Sequence, residues 1–107
     1  MKTKKKLPEC PVATTVSLIG SKWKLLILRN LIKRPWRFNE LMRSLDGISQ
    51  KVLTTSLREL QSDGIIYRKD YQCNPPKVEY GITDLGLHLQ VLLDQMAAFG
   101  DYYKSQI

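Results

Sequence analysis

Residues 38–64, FNELMRSLDGISQKVLTTSLRELQSDG, decide the fold of this chain, because they contain two short amphipathic segments joined by a tight turn. Apolar residues in the first segment recur at i, i+3, i+4 and i+7, which is one face of a helix: Phe38, Leu41, Met42 and Leu45. Asp46-Gly47 breaks this pattern, and Ser49 is a good N-cap for a second helix. The spacing therefore predicts a helix-turn-helix over residues 38–63.

The second helix, residues 49–62, is predicted to have one apolar and one polar face. Leu53, Leu57 and Leu60 form the apolar stripe. The opposite face carries hydrogen-bonding groups and no acid: Gln50, Lys51, Thr54, Thr55 and Arg58. Such a helix suits the major groove of DNA. We therefore take these five residues, with Ser49 at the helix start, as candidate DNA contacts, Arg58 and Lys51 foremost and Gln50 as a reader of adenine.

The composition favours a polyanionic partner. The chain has 107 residues, a net charge of +7 and a pI near 9.6, which fits one small basic domain. The charge is uneven: the first 82 residues carry 16 basic and 7 acidic side chains, whereas residues 83–107 carry a net charge of −2. A basic body fits nucleic acid, although a merely soluble basic surface is the alternative.

Several classes of protein and site are not indicated. The apolar stretches are too short to cross a bilayer, and no apolar segment of a secretion signal follows the first lysines. We therefore expect a cytoplasmic protein, nucleoid-associated when bound to DNA, with no membrane partner. Cys10 and Cys73 lie too far apart in sequence for a disulfide framework or a zinc site, so no metal or cofactor is predicted.

Residues 1–9 are predicted to be a flexible lysine-rich arm, and residues 10–107 a single domain. Pro11 suits the first position of a helix that ends at Gly20, and Ser21 can cap the next one. Residues 22–32, KWKLLILRNLI, are apolar on most sides and predict the central buried helix. Its expected core contacts are Trp23, Leu26, Ile27 and Leu31.

A β-hairpin, or wing, is predicted over residues 65–82. Residues 65–72 have strand composition, Cys73-Asn74-Pro75-Pro76 forms a turn, and residues 77–82 alternate in polarity. The predicted fold is mainly α with a small β-hairpin (α+β), a winged helix-turn-helix. Its candidate contacts to the DNA backbone or the minor groove are Arg37, Arg68, Lys69 and Lys77. The alternative is a hairpin that only covers the core.

Residues 83–107 predict one long helix, capped by Thr83, that carries a dimer seam. Its apolar residues are spaced 4, 3, 4, 3 and 4 apart, as in a coiled coil: Leu85, Leu89, Leu92, Met96, Phe99 and Tyr103. A helix of about 23 residues would be about 35 Å long, too long for one small body to cover. We expect it to pair with a second subunit, together with Val12 and Val16 of the first helix. The alternative is a helix folded back on its own core.

These residues resemble the HxlR-type winged-helix transcriptional regulators, relatives of the MarR group, over nearly the whole chain after the arm. The matching motifs run from the first helix to the last: Cys10-Pro11, Ile19-Gly20-Ser21-Lys22-Trp23-Lys24, Arg37-Phe38-Asn39-Glu40-Leu41, Gly47-Ile48-Ser49, Leu53, Leu57, Leu60, Asp63-Gly64-Ile65-Ile66, Pro75-Pro76-Lys77-Val78-Glu79-Tyr80 and Thr83 with Leu85-Gly86. Where the family often has a second glycine, this chain has Ser21.

The resemblance implies a homodimeric bacterial DNA-binding regulator whose first and last helices form the dimer. Some members sense oxidants or electrophiles through a cysteine near the N-terminus, the place that Cys10 occupies. The positive end of a helix and the lysine arm favour a reactive thiolate there. The alternative is a small cysteine that only packs. Cys73 could be a disulfide partner or a turn residue.

Three other functions stay open at this point. An enzyme is disfavoured, because the single histidine, His88, has no placed catalytic partner. A winged helix can also bind RNA or protein, with hairpin tyrosines as stacking surfaces. A small aromatic effector could bind where Trp23, Phe99 and Tyr102 line a pocket between subunits. The favoured function is a sequence-specific regulator, a repressor by the simplest mechanism, since a small dimer across a promoter blocks polymerase.

Overall fold

The computed structural model describes residues 6–107. Its elements follow in the order α1 (Pro11–Ile19), α2 (Lys22–Leu31), α3 (Phe38–Ser44), α4 (Gln50–Ser62), β1 (Ile66–Asp70), β2 (Val78–Ile82), α5 (Asp84–Leu87) and α6 (Gln90–Ser105). The predicted winged helix-turn-helix is thereby confirmed. Of the predicted N-terminal arm, residues 1–5 lie outside the described part, and residues 7–9 form no helix or strand before α1.

The core lies between α2, α3, α4 and the first strand. Its buried side chains come from all four elements: Ile27, Leu28, Leu31, Leu41, Leu45, Leu53, Leu57, Leu60 and Ile66. Trp23 and Leu26, which we expected inside, are half-buried and pack against this cluster, whereas Leu28 is fully buried. The pattern KWKLLILRNLI is apolar on most sides, so the sequence predicts burial of the helix better than it predicts which side faces inward.

The hairpin pairs antiparallel, with Ile66 opposite Ile82 and Lys69 opposite Glu79. Trp36 forms an isolated β-bridge to the second strand, because its backbone exchanges hydrogen bonds of 2.9 and 2.8 Å with Tyr80. This bridge ties the wing to the segment just before α3. The wing therefore has a fixed position beside the helix-turn-helix.

The single C-terminal helix predicted over residues 83–107 is wrong in one respect, because the chain forms two helices separated at His88 and Leu89. The His88 and Leu89 amides donate to the carbonyls of Leu85 and Gly86, three residues back, so the helix tightens there. Thr83 anchors the start of α5, its hydroxyl lying 2.7 Å from the Gly64 carbonyl oxygen. The short α5 is thus fixed to the hairpin, and α6 begins anew.

Within α6 no residue is buried. Leu89 and Leu93 are half-buried and pack against the core of their own chain. Leu89 therefore has an intramolecular contact that the seam spacing did not indicate. The other predicted seam residues, Leu85, Leu92, Met96, Phe99 and Tyr103, are exposed.

Candidate nucleic-acid interface

The turn between α3 and α4 sets the direction of α4. Gly47 has a φ of 89°, a conformation that side-chain-bearing residues rarely adopt. Ser49 then caps α4, its hydroxyl oxygen accepting from the Val52 amide at 3.1 Å. Both features are those that the sequence predicts, and together they start α4 at a defined point after the turn.

The two faces of α4 separate as predicted. Leu53, Leu57 and Leu60 are buried in the core. The candidate DNA-contacting side chains lie on the outside: Ser49, Gln50, Lys51, Thr55 and Arg58 are exposed, and Thr54 is half-buried. A rigid helix thus presents amide, hydroxyl, ammonium and guanidinium groups outward, the donors that recognise base edges and phosphates.

One acidic residue of α4, Glu59, lies nearer this face than we expected. It follows Lys51 and Thr55 at four-residue spacing, so the three side chains share one strip of the helix. All three line a cleft against the start of α2. Lys24 of α2 reaches across this cleft, its Nζ lying 3.1 Å from Glu59 Oε2. The prediction that the polar face of α4 has no acid therefore misses Glu59 at its edge.

The wing lysines lie on one face of the hairpin. Side chains alternate along a strand, so Lys69 and Tyr71 share a side that excludes Arg68. The ammonium groups of Lys69 and Lys77 lie 4.7 and 4.4 Å from the centre of the Tyr71 ring. The ring attracts both cations through its π electrons, and it holds two positive charges close together near the wing turn. Arg68 is exposed on the other face, opposite Tyr80.

Tyr71 itself is held by Glu79. Its hydroxyl donates to Glu79 Oε1 at 2.6 Å. This hydrogen bond to the carboxylate, with some desolvation, raises the pKa of Tyr71 above its ordinary value. The same hydrogen bond keeps the Tyr71 ring close to both lysines. The two lysines were predicted as candidates from their positions, but the role of Tyr71 in arranging them was not.

Arg37 lines a cleft of about 460 Å³ between the start of α3 and the wing, together with Asn39, Arg43 and Pro76. Its backbone amide donates to Glu40 Oε1 at 2.8 Å. That hydrogen bond, with the charges of Arg34 and Arg37, holds the pKa of Glu40 below its usual range. Arg43 is exposed and joins the predicted Arg37 in this cleft. Sequence reasoning missed it, although its place on the polar side of α3 was a usable signal.

The comparisons with known proteins agree with this geometry. Residues 18–107 match the family described as HxlR-like helix-turn-helix. The chain belongs to this family. It is 45% identical over 98 residues to the uncharacterized HTH-type transcriptional regulator YdeP of Bacillus subtilis strain 168, an alignment that covers 92% of this chain and 77% of YdeP.

Two solved structures extend the match for this HxlR-family chain. The redox regulator HypR in its oxidized form has a TM-score of 0.83 and 43% identity, covering 87% of this chain and 96% of HypR. A MarR-family transcriptional regulator from Enterococcus faecalis V583 has a TM-score of 0.81 and 34% identity, with coverages of 99% and 96%. The HxlR-type and MarR-like assignment and the transcription-regulator class predicted from the sequence are thereby confirmed.

Both cysteines of this HxlR-family member are free and exposed. Cys10 is the N-cap residue of α1, and Pro11 follows as the first helical residue, as predicted. Cys73 lies on the wing turn, its thiol donating to the Pro75 carbonyl oxygen at 3.3 Å. The Cys10 thiol is thus exposed to solvent at a helix N-terminus, so oxidants and electrophiles can reach it.

An apolar surface, which we call the α1–α6 face, is formed by the first and last helices. It comprises exposed side chains of the first and last helices: Val12, Val16, Leu92, Met96, Phe99 and Tyr103. Val12 and Phe99 are 72% and 65% exposed. An apolar groove of about 310 Å³ runs between the two helices. Isolated apolar residues are ordinary on surfaces, but a continuous patch of this kind marks an interaction site.

Other predicted features have different surroundings. Trp23 lines the cleft against α4, whereas Phe99 and Tyr102 are exposed on α6, so one chain alone does not assemble the aromatic effector pocket. His88 Nδ1 lies 3.0 Å from the Asp84 carbonyl oxygen, a local helical contact. Within residues 6–107 no three metal-ligating side chains cluster, and no helix of that range has the length and hydropathy to cross a membrane.

Proposed function

We propose that this HxlR-family protein is a sequence-specific regulator that binds duplex DNA as a homodimer. The observation that carries the proposal is α4, whose leucines are buried while Gln50, Lys51, Thr55 and Arg58 project outward. A major groove accommodates such a helix, and its base edges offer partners for these groups. Arg37, Arg68, Lys69 and Lys77 then contact the backbone or the minor groove on either side.

The homodimer is proposed from the α1–α6 face. A second copy placed on this face would cover apolar side chains that a single chain leaves in water. Two copies related by a two-fold axis present two recognition helices. The operator is then a pseudo-palindrome with half-sites about one helical turn, roughly 10 bp, apart. A dimer of this size lying across a promoter obstructs polymerase, which makes repression the simplest outcome.

Selection of bound sequences from random duplex DNA tests the proposal. We expect an enriched pseudo-palindrome with half-sites about 10 bp apart. If each dimer makes about 10 phosphate contacts, the logarithm of affinity should fall against the logarithm of salt concentration with a slope near −9. Enrichment of no motif, or an affinity indifferent to salt, would refute the proposal. Preference for single-stranded RNA over duplex DNA in competition would support an RNA-binding module instead.

A redox or electrophile response through Cys10 is a second proposal. Its support is the exposed thiol at the start of α1, together with the likeness to HypR, a redox regulator. Modification of Cys10 would alter α1, and through the α1–α6 face the spacing of the two recognition helices. Diamide, peroxide or a quinone should release the operator from the unmodified protein and not from Cys10→Ser. Equal release from both proteins would remove Cys10 from the mechanism. Cys73→Ser should respond like the unmodified protein if Cys73 is only a turn residue, and it should keep the operator under diamide if Cys73 is the disulfide partner.

A further inference from the structure

The cleft between the start of α2 and the recognition helix contains an ion pair on the edge of the DNA-facing surface. Glu59 is the only acidic residue of α4. It lies one turn beyond Thr55 and two turns beyond Lys51, and all three side chains line the cleft. A carboxylate on this strip faces the same direction as the candidate DNA contacts. In a complex with DNA it would add a negative charge close to the phosphates.

Lys24 compensates this charge from the neighbouring helix. Its Nζ donates to Glu59 Oε2 at 3.1 Å, and the two residues are 35 positions apart in the chain. The Lys24 side chain is only 12% exposed, whereas that of Glu59 is 54% exposed. The lysine is therefore largely enclosed by the cleft, and its ammonium group is directed at the carboxylate.

We infer that Lys24 is a positioning residue for DNA binding, which holds and neutralises Glu59 so that α4 presents no uncompensated negative charge to DNA. The inference rests on the proposed DNA-binding function. With Lys24 removed, the Glu59 carboxylate would repel nearby phosphates, because at 0.1 M salt charges interact over about 10 Å. With Glu59 removed as well, that repulsion would vanish. The role of Lys24 thus depends on Glu59, unlike that of a lysine that contacts phosphate directly.

The test is a double-mutant cycle on the full chain, with binding to the selected duplex measured by fluorescence anisotropy. Lys24→Met should weaken binding about tenfold, within the range of coupling energies for contacting charged residues. Glu59→Gln should bind at least as tightly as the unmodified protein, and the double variant should recover nearly all of the loss. Lys24→Arg, which keeps the charge, should bind normally. Lys22→Met is the matched control, because its ammonium lies over the Trp23 ring at 4.6 Å; its effect should be the same with and without Glu59→Gln.

Several results would overturn the inference. If the double variant binds as weakly as Lys24→Met, Lys24 contacts DNA itself. If Glu59→Gln also weakens binding tenfold, the pair is a structural brace or Glu59 touches a base. If Lys24→Met fails to fold, as judged by circular dichroism, the affinity of Glu59→Gln alone still tests the inference. If the unmodified protein binds duplex DNA with the expected salt dependence but none of the substitutions changes its affinity, only this inference is contradicted. If the unmodified protein binds no duplex, the proposed function is contradicted as well.

Discussion

Two lysines of the wing should contribute a measurable part of the salt dependence of DNA binding. The ammonium groups of Lys69 and Lys77 both lie within 5 Å of the Tyr71 ring centre, at 4.7 and 4.4 Å, on one face of the hairpin. A wing that meets the DNA backbone therefore brings two cations to it at once. In a homodimer, Lys69→Gln/Lys77→Gln removes up to four phosphate contacts. Each contact contributes roughly 0.9 to the salt slope, so the slope should become less negative by up to about 3.6.

The assay is anisotropy of a labelled operator duplex at several salt concentrations. The double variant should bind much more weakly at low salt, and its affinity should approach that of the unmodified protein as salt rises. Lys69→Arg/Lys77→Arg keeps both charges and should keep the slope. Lys104→Gln, a lysine near the end of α6, should leave it unchanged. An unaltered slope in Lys69→Gln/Lys77→Gln would refute the reasoning and leave the hairpin as a cover for the core.

Three further predictions concern stability and assembly. Gly86→Ala should lower the unfolding free energy by about 2–3 kcal/mol in urea titrations, because a Cβ there would collide with the Ile65 backbone carbonyl oxygen. A variant as stable as the unmodified protein would contradict this close packing. Phe99→Glu, at a residue that is 65% exposed, should give folded monomers in sedimentation, and an intact dimer would exclude Phe99 from the interface. The pKa of the Glu40 carboxyl is lowered chiefly by the hydrogen bond from the Arg37 amide. The stabilisation from this hydrogen bond is therefore present above the unfolded-state pKa and is lost as the pH falls through the lower folded-state pKa. In urea titrations at several pH values, Glu40→Gln should lose less stability on acidification than the unmodified protein, and an identical loss would contradict the assigned hydrogen bond.

The helix-turn-helix was predictable because its signals are local. The apolar spacing of residues 38–45, the break at Gly47 and the cap at Ser49 each act within one or two helical turns, and the structure contains all three. The exposed face of α4 follows directly, since burying Leu53, Leu57 and Leu60 leaves the intervening polar residues outside.

The parts that sequence reasoning missed depend on distant contacts. The break at His88 arises where α5 is held against the hairpin by Thr83 and the tightly packed Gly86. The coiled-coil spacing of the apolar residues continues across this break and therefore does not predict it. The Lys24–Glu59 pair joins residues 35 positions apart. The arrangement of the wing lysines depends on strand register and on Tyr71. In each case a tertiary partner, absent from the local pattern, determines the geometry.

The most direct test of the proposed function compares the unmodified protein with Lys51→Ala/Arg58→Ala on the selected operator and on a scrambled duplex. Both side chains are exposed on α4, so the double variant should keep its helical circular dichroism. It should lose at least tenfold in operator affinity, since a single good base contact is worth roughly 1–3 kcal/mol, and most of its preference over the scrambled duplex. An unchanged operator affinity in a folded double variant would contradict DNA recognition by α4.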